Sequence, residues 1–158
     1  KNINFEEGSI TIASPIEGTT IALSKVNDEV FSSEALGKGV AIIPRKGEVV
    51  APDDCQVSVI YPTMHALVLR LKNKTELIIH VGIDTVRLDG KYFKSHVNEG
   101  DFIKKGEKII SFDIEKIENA GFDLTTSIVV NNTESYRNIQ HKELENANLN
   151  TEILGILV

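Results

Sequence analysis

Two of the four histidines, His65 and His80, lie in one segment, TMHALVLRLKNKTELIIHVGIDTV, which runs from Thr63 to Val86. Imidazole is the side chain best suited to act as nucleophile, base or metal ligand near neutral pH. Fourteen residues separate the two, so joint chemistry requires the chain to fold back between them. The polar tip Lys72-Asn73-Lys74 predicts that fold-back as a β-hairpin. Alternation puts His65, Leu67, Leu69 and Leu71 on one face of the first arm, and Ile78 with His80 on one face of the second. Asn73 tolerates a left-handed backbone, which favours a two-residue turn at Lys72-Asn73. The histidines then stand opposite each other with Cβ atoms about 4.5–5.5 Å apart. A turn with an odd number of residues would send them to opposite faces.

Two imidazoles on a Leu/Ile face repel when both are protonated, so at least one stays neutral. Their neighbours in sequence suit that state. Gly82, two residues past His80, leaves its backbone uncovered, and its carbonyl can fix the proton on one ring nitrogen. Thr63, two residues before His65, can orient that ring through its hydroxyl, and Asp84 can place a charge at the rim. The plainer alternative is that each histidine is a half-buried strand residue with no joint task. Zinc hydrolysis is another: His80-Val-Gly-Ile-Asp84 has the H-x-G-x-D spacing of a class of β-sandwich zinc peptidases. Catalytic zinc wants three protein ligands and a water, and those enzymes also carry an H-x-H pair. No H-x-H is present, and His96 and His141 stand alone.

The elements that must position these residues are short and β-branched. ITIA (10–13), TTIAL (19–23), VAII (40–43), GEVVA (47–51), QVSVI (56–60), ALVLRL (66–71), ELIIHV (76–81), KIISF (108–112) and TSIVV (126–130) read as strands. Gly, Pro, Asn and Asp separate them at intervals too short for crossover helices. The expected fold is therefore all-β, an antiparallel sandwich or barrel, with at most short helical turns such as IEKIENAG (114–121). IASPIEGT (12–19) and VVAPDDCQ (49–56) share a small residue, Pro and a turn, which suggests two similar halves packed on each other. Cys55 stands where the first copy has Gly18; if that place needs a positive φ, cysteine there costs on the order of 1 kcal/mol.

With 158 residues and no linker-like stretch, residues 1–158 read as one domain. A net charge of −6 argues against a nucleic-acid surface and favours a basic protein partner. No apolar run approaches a membrane span, so direct membrane insertion is not expected. A single cysteine excludes an intrachain disulfide and fits a reducing compartment. The chain opens at Lys1 and its only methionine is Met64, so it can stand free or belong to a longer protein.

VNEGDFIKKGEKIISFD (97–113) looks like the hairpin of biotinyl and lipoyl carrier domains, but the modifiable lysine of Met-Lys-Met is missing; the tip-like segment reads TMHA. A wider resemblance accounts for more. SPIEGTTIALSKVNDEVFSSEALGKGVAIIP, APDDCQV, PTMHALVL, ELIIHVGIDTVRLDGKYF and VNEGDFIKKGEKIISFDIEKI follow one another in order, with VVNN closing the matched core over about residues 12–132. In that order and spacing the chain resembles the glucose-type enzyme IIA domain of the bacterial phosphoenolpyruvate:sugar phosphotransferase system.

The resemblance implies a phosphotransferase component of the cytoplasm, free or attached to an inner-membrane permease. His80 would be the phosphoacceptor, taking a phosphoryl group from the carrier HPr and passing it to a cysteine of a sugar permease's IIB domain. His65 would stabilise the phosphoryl oxygens, Thr63 would orient His65, the Gly82 carbonyl would hold His80, and Asp84 would stand at the rim. No cofactor is required, although the family can bind zinc between the counterparts of His65 and His80. An apolar partner face is expected around the histidines, with Val40, Tyr61 and Ile78 as its candidates. A second reading is a regulatory module whose docking onto other proteins depends on the phosphorylation state of His80. The chain departs from the family at Cys55, at Lys74, where the hairpin tip often has Gly, and at Val68, where a small residue is common.

Overall fold

Nine β-branched runs, set off by turn residues, become strands, and four further strands complete the sheets. The computed structural model describes residues 4–158. In chain order the strands are β1 (Ile10–Ala13), β2 (Gly18–Ile21), β3 (Lys38–Pro44), β4 (Glu48–Val50) and β5 (Cys55–Ile60). They continue with β6 (Ala66–Leu71), β7 (Glu76–His80), β8 (Phe93–Ser95), β9 (Phe102–Ile103) and β10 (Lys108–Phe112). The last three are β11 (Thr126–Val130), β12 (Asn138–His141) and β13 (Glu152–Leu157). Pairing is antiparallel throughout.

A seven-stranded sheet in the order β2-β3-β11-β7-β6-β5-β9 packs with two three-stranded sheets, β4-β10-β8 and β1-β13-β12. Alternation decides which side is inside. Leu67 and Leu69 of β6, Leu77 and Ile79 of β7, Val40 and Ile42 of β3 and Ile128 of β11 enter one core with Val49, Ile110 and Leu154 of the smaller sheets. The intervening residues face outward, His80 and Ile78 among them. Two short helices interrupt the sheets. α2 (Ile114–Asn119) falls where IEKIENAG predicts it, with the Asp113 carboxylate capping Lys116 N–H at 3.0 Å. α1 (Glu29–Ser32) is a single turn capped by Asp28, whose carboxylate accepts from Val30 N–H at 3.1 Å.

Two turn expectations are corrected. The β6–β7 loop holds three residues, Lys72-Asn73-Lys74, closed by Leu71 N–H donating to Thr75 O at 2.9 Å. Lys74, with φ +72°, takes the left-handed place that ends such loops. Asn73 instead uses its side chain, accepting from Thr75 N–H at 3.0 Å, while the Asn132 amide donates to Lys74 O. The register therefore pairs Ala66, not His65, with His80. The Pro turns also work differently: neither Gly18 nor Cys55 has a positive φ, so Cys55 carries no such penalty. Gly18 is needed for room, since a Cβ there would lie 2.1 Å from the Ile43 carbonyl oxygen. The two Pro turns touch, with Val50 N–H donating to Pro15 O at 2.9 Å.

The strands missed in sequence have local reasons. β8, β9 and β12 are short or polar (FKS, FI, NIQH). β13 is interrupted by Gly155, where a Cβ would meet the Phe5 ring at 2.5 Å.

Substitutions at the two turns are expected to have opposite signs. Gly18→Ala should lose roughly 1–3 kcal/mol by forcing β2 from β3, whereas Lys74→Gly should gain about 0.5 kcal/mol by relieving a left-handed non-glycine residue. Urea midpoints measure both; movement in the same direction would contradict this account of the turns.

Candidate functional site

Histidine parity alone would keep His65 and His80 apart, because an odd hairpin loop puts them on opposite faces. They meet because His65 lies just outside the ladder. The chain leaves β5 through a tight turn in which Met64 N–H donates to Tyr61 O at 2.7 Å and Met64 takes φ +61°. That left-handed residue breaks the alternation two positions before β6 begins. His65 is then held by its backbone, its carbonyl accepting from Val81 N–H at 2.7 Å. The two rings lie edge to face, with centroids 4.9 Å apart and planes at 88°.

Each ring is oriented by the group the sequence suggested. His80 Nδ1 lies 2.9 Å from Gly82 O; a carbonyl only accepts, so Nδ1 carries the proton and Nε2 the lone pair in the neutral ring. Gly82 serves that bond in two ways. Its φ of +78° turns the carbonyl back toward the ring, and a Cβ there would meet Thr85 Cγ2 at 2.5 Å. Thr85 in turn ties the loop by donating its hydroxyl to Val81 O. On the other side Thr63 Oγ1 lies 2.7 Å from His65 Nδ1.

Burial keeps the pair neutral. His65 is only 3% exposed, and its pKa falls to about 4, first because burial disfavours the imidazolium and second because His80 is adjacent. His80 is half-buried and is also lowered, with burial as the largest cause. The Gly82 bond and the charges of Asp28 and Asp84 oppose that shift. Asp84 is exposed, at φ +60°, and acts on His80 from the rim through its charge.

The outer face of the large sheet surrounds His80 with small and apolar side chains. Ala66 and Ser127 flank it across the ladders. One register step along, Val59, Val68, Ile78 and Val129 form a row across β5, β6, β7 and β11. Ile78 thus shares the face of His80, and Tyr61, 47% exposed, sets its ring edge-on to His65 at 5.7 Å. Val40 is the correction: it points inward and is 0% exposed, since the outward positions of β3 are its neighbours Gly39 and Ala41. Sequence reasoning missed Phe31, whose ring packs 4.9 Å from His80, and Asp28, which caps the turn that carries it. Asp28-Glu29 ahead of an apolar pair is a readable helix start, but its place over His80 is set by packing of Leu23, Val26 and Phe31 on Ala41 and Val129. Among the described residues no group of three or more His, Cys, Asp or Glu side chains gathers as a metal site; the two imidazoles offer two ligands.

Residues 10–136 match the family described as phosphoenolpyruvate-dependent sugar phosphotransferase system, EIIA 1. The chain belongs to this EIIA family. A glucose-specific EIIA component from Oceanobacillus iheyensis is 40% identical to it over 136 residues, 86% of this chain and 82% of that protein. A β-glucoside-specific EIIBCA component from Dickeya chrysanthemi is 46% identical over 130 residues, 82% of this EIIA chain but only 21% of that longer protein. The solved structure of glucose permease IIA from Mycoplasma capricolum matches with a TM-score of 0.83 at 28% identity, covering 99% of this chain and 100% of that one. This EIIA chain is thus a phosphoryl carrier of glucose type on an antiparallel β-sandwich. Among the described residues no helix is long and apolar enough to cross a membrane.

The neutral pair gives a pH signature. Unfolded histidine binds a proton near pH 6.5, whereas folded His65 does so only near pH 4. Between these values the unfolded chain holds more protons, so stability falls as pH falls, by up to about 1.4 kcal/mol per pH unit for this residue. Urea melts at stepped pH should show that slope in the native chain and a shallower one in His65→Gln. NMR titration of the His65 ring should give a midpoint near 4; a midpoint near 6.5 would contradict the buried, neutral assignment.

Proposed function

We propose that His80 accepts the phosphoryl group on Nε2 from phosphorylated HPr and passes it to a cysteine of a sugar permease's IIB domain. The observation that carries this reading is the bond from His80 Nδ1–H to the Gly82 carbonyl, which reserves the Nε2 lone pair for attack. In the first step the Nε2–P bond forms as the donor's N–P bond breaks, and the electron pair returns to the donor nitrogen. In the second, a thiolate takes phosphorus and the pair returns to Nε2. Transfer between such nucleophiles demands positioning and stabilisation of charge spread over the phosphoryl oxygens more than covalent help.

His65 supplies that stabilisation. The Thr63 hydroxyl, 2.7 Å from His65 Nδ1, can donate to it; the other nitrogen then carries a hydrogen that can donate to a phosphoryl oxygen beside His80. Because its pKa lies near 4, it donates as a neutral group. It therefore steadies the phosphate without competing for it. Phe31, packed over the buried Val129, shields the site from water, and Val59, Val68 and Ile78 of the same row offer partners an apolar surface, with Tyr61 at its edge. Asp28 and Asp84 add negative charge that suits a basic donor surface.

The transfer as written needs no metal. A zinc ion between the imidazoles would take the same Nε2 lone pair and compete with phosphoryl acceptance. The EIIBCA relatives, whose names join IIB and IIA in one protein, support a IIB acceptor and a place in the cytoplasm beside a permease. The apolar row beside His80 also favours a regulatory role, because a phosphate of about −2 charge there disfavours partners that need the bare face.

Mass measurement after incubation with phosphoenolpyruvate, enzyme I and HPr tests the assignment. The native chain should gain one acid-labile phosphate and His80→Ala none. His65→Gln should still be labelled but pass the group to a IIB domain on the order of 100-fold more slowly. Labelling of His80→Ala would overturn the assignment.

A further inference from the structure

A groove of about 470 Å³ opens at the end of β6 and β7 remote from His80. Its floor is formed by the buried residues Cys55, Leu71 and Ile103, and one wall is Phe102, which is 81% exposed. The ring stands free because β9 is the last strand of the seven-stranded sheet. Around it Arg70, Lys72, Lys74 and Lys104 face a single lining acid, Asp54.

Those cations are only loosely neutralised. Lys72 lies 3.4 Å from Asp53 and Lys104 lies 3.8 Å from Asp54, both well exposed on the lysine side and readily exchanged for another anion. Among the described residues Arg70 and Lys74 have no acidic partner within ion-pair distance; Glu76 faces Arg70 across the ladder without reaching it. The carboxylates of Asp53, Asp54 and Glu107 bear on Cys55 at the floor, so the excess of positive charge lies at the rim, where it runs against the net charge of −6 of the whole chain. Two copies meeting symmetrically through this end would set cation against cation, so such a pair is a poor occupant. A small hydrophilic anion would leave Phe102 and the apolar floor uncovered.

An exposed aromatic ring encircled by lysines and arginine suits the headgroup layer of a bilayer. The ring lies at the boundary, the aliphatic stems rest on apolar surface, and the charged ends meet phosphates. Phe102 and Lys104 come from β9 and the residue beyond it, Lys72 and Lys74 from the β6–β7 loop, and Asp54 from the turn before β5. Loops gathered at one end of the sandwich can meet a plane together. We infer that this end of the domain docks reversibly on an anionic membrane surface, with Phe102 at headgroup level and the four cations on lipid phosphates. His80, at the opposite end of β7 from Glu76, is then held roughly 13 Å further along the strand and remains open to protein partners.

The chain contains no tryptophan, so Phe102→Trp introduces a single fluorescent reporter. Its emission should shift to the blue with vesicles of mixed phosphatidylglycerol and phosphatidylcholine, far less with phosphatidylcholine alone, and return on adding salt. The native chain should sediment with the mixed vesicles at low salt. Lys72→Gln, Lys74→Gln and Lys104→Gln should each weaken that partition about five-fold, the factor expected for one basic residue at an anionic surface. All three should still accept phosphate from HPr at the native rate, which separates this test from that of His80. Failure to sediment with anionic vesicles at low salt, or equal sedimentation of the lysine variants, would overturn the inference. So would a blue shift that grows with protein concentration in the absence of lipid, which assigns the groove to a second copy.

Discussion

One hydrogen bond, from His80 Nδ1–H to the carbonyl of Gly82, governs the rest of the site. It selects the tautomer, aims the ring and leaves a single nitrogen with a lone pair. A backbone carbonyl does this work well because it cannot change its protonation or rotate away once its loop is fixed. The cost is a sharp turn immediately after a strand, and the chain meets it with Gly82 and Asp84 both left-handed and with Thr85 bonded back to Val81. An ordinary strand end would point that carbonyl elsewhere.

The second constraint is that two imidazoles share one enclosed place. Their closeness is tolerable only while they are not both protonated, and the protein secures this through burial before anything else. His65 is the more enclosed ring and the more depressed, whereas His80 is eased upward by Gly82, Asp28 and Asp84. The two rings are chemically alike yet fall into different roles because their surroundings differ. Phe31 packs its ring against His80, which links the single-turn α1 to the chemistry.

Much of this was legible in the sequence, and the parts that were not have clear physical causes. Short β-branched runs set off by turn residues located β1, β6, β10 and β11 at their observed bounds. The roles of Gly82 and Thr63 followed from spacing of two, which brings a backbone or hydroxyl group back to a ring. The turn did not follow, because the left-handed residue is Lys74, whose type gives no hint of that conformation. That error reversed the parity of the hairpin, and a second irregularity at Met64, equally silent in sequence, restored the meeting of the histidines. Val40 was misplaced because a run of four apolar residues does not reveal which of them face inward. Phe31 and Asp28 were missed because their proximity to His80 depends on how α1 folds over the sheet, a contact between distant parts of the chain.

The central claim is that Nε2 of His80 is the nucleophilic nitrogen because Gly82 holds the other. The most direct measurement is nitrogen-15 NMR of the histidine rings, recorded before and after phosphorylation by phosphoenolpyruvate, enzyme I and HPr. The account predicts a proton on His80 Nδ1 in the free protein and phosphorus–nitrogen coupling at Nε2 of the same ring in the phosphorylated one. Coupling at Nδ1 of His80, or at either nitrogen of His65, would contradict it.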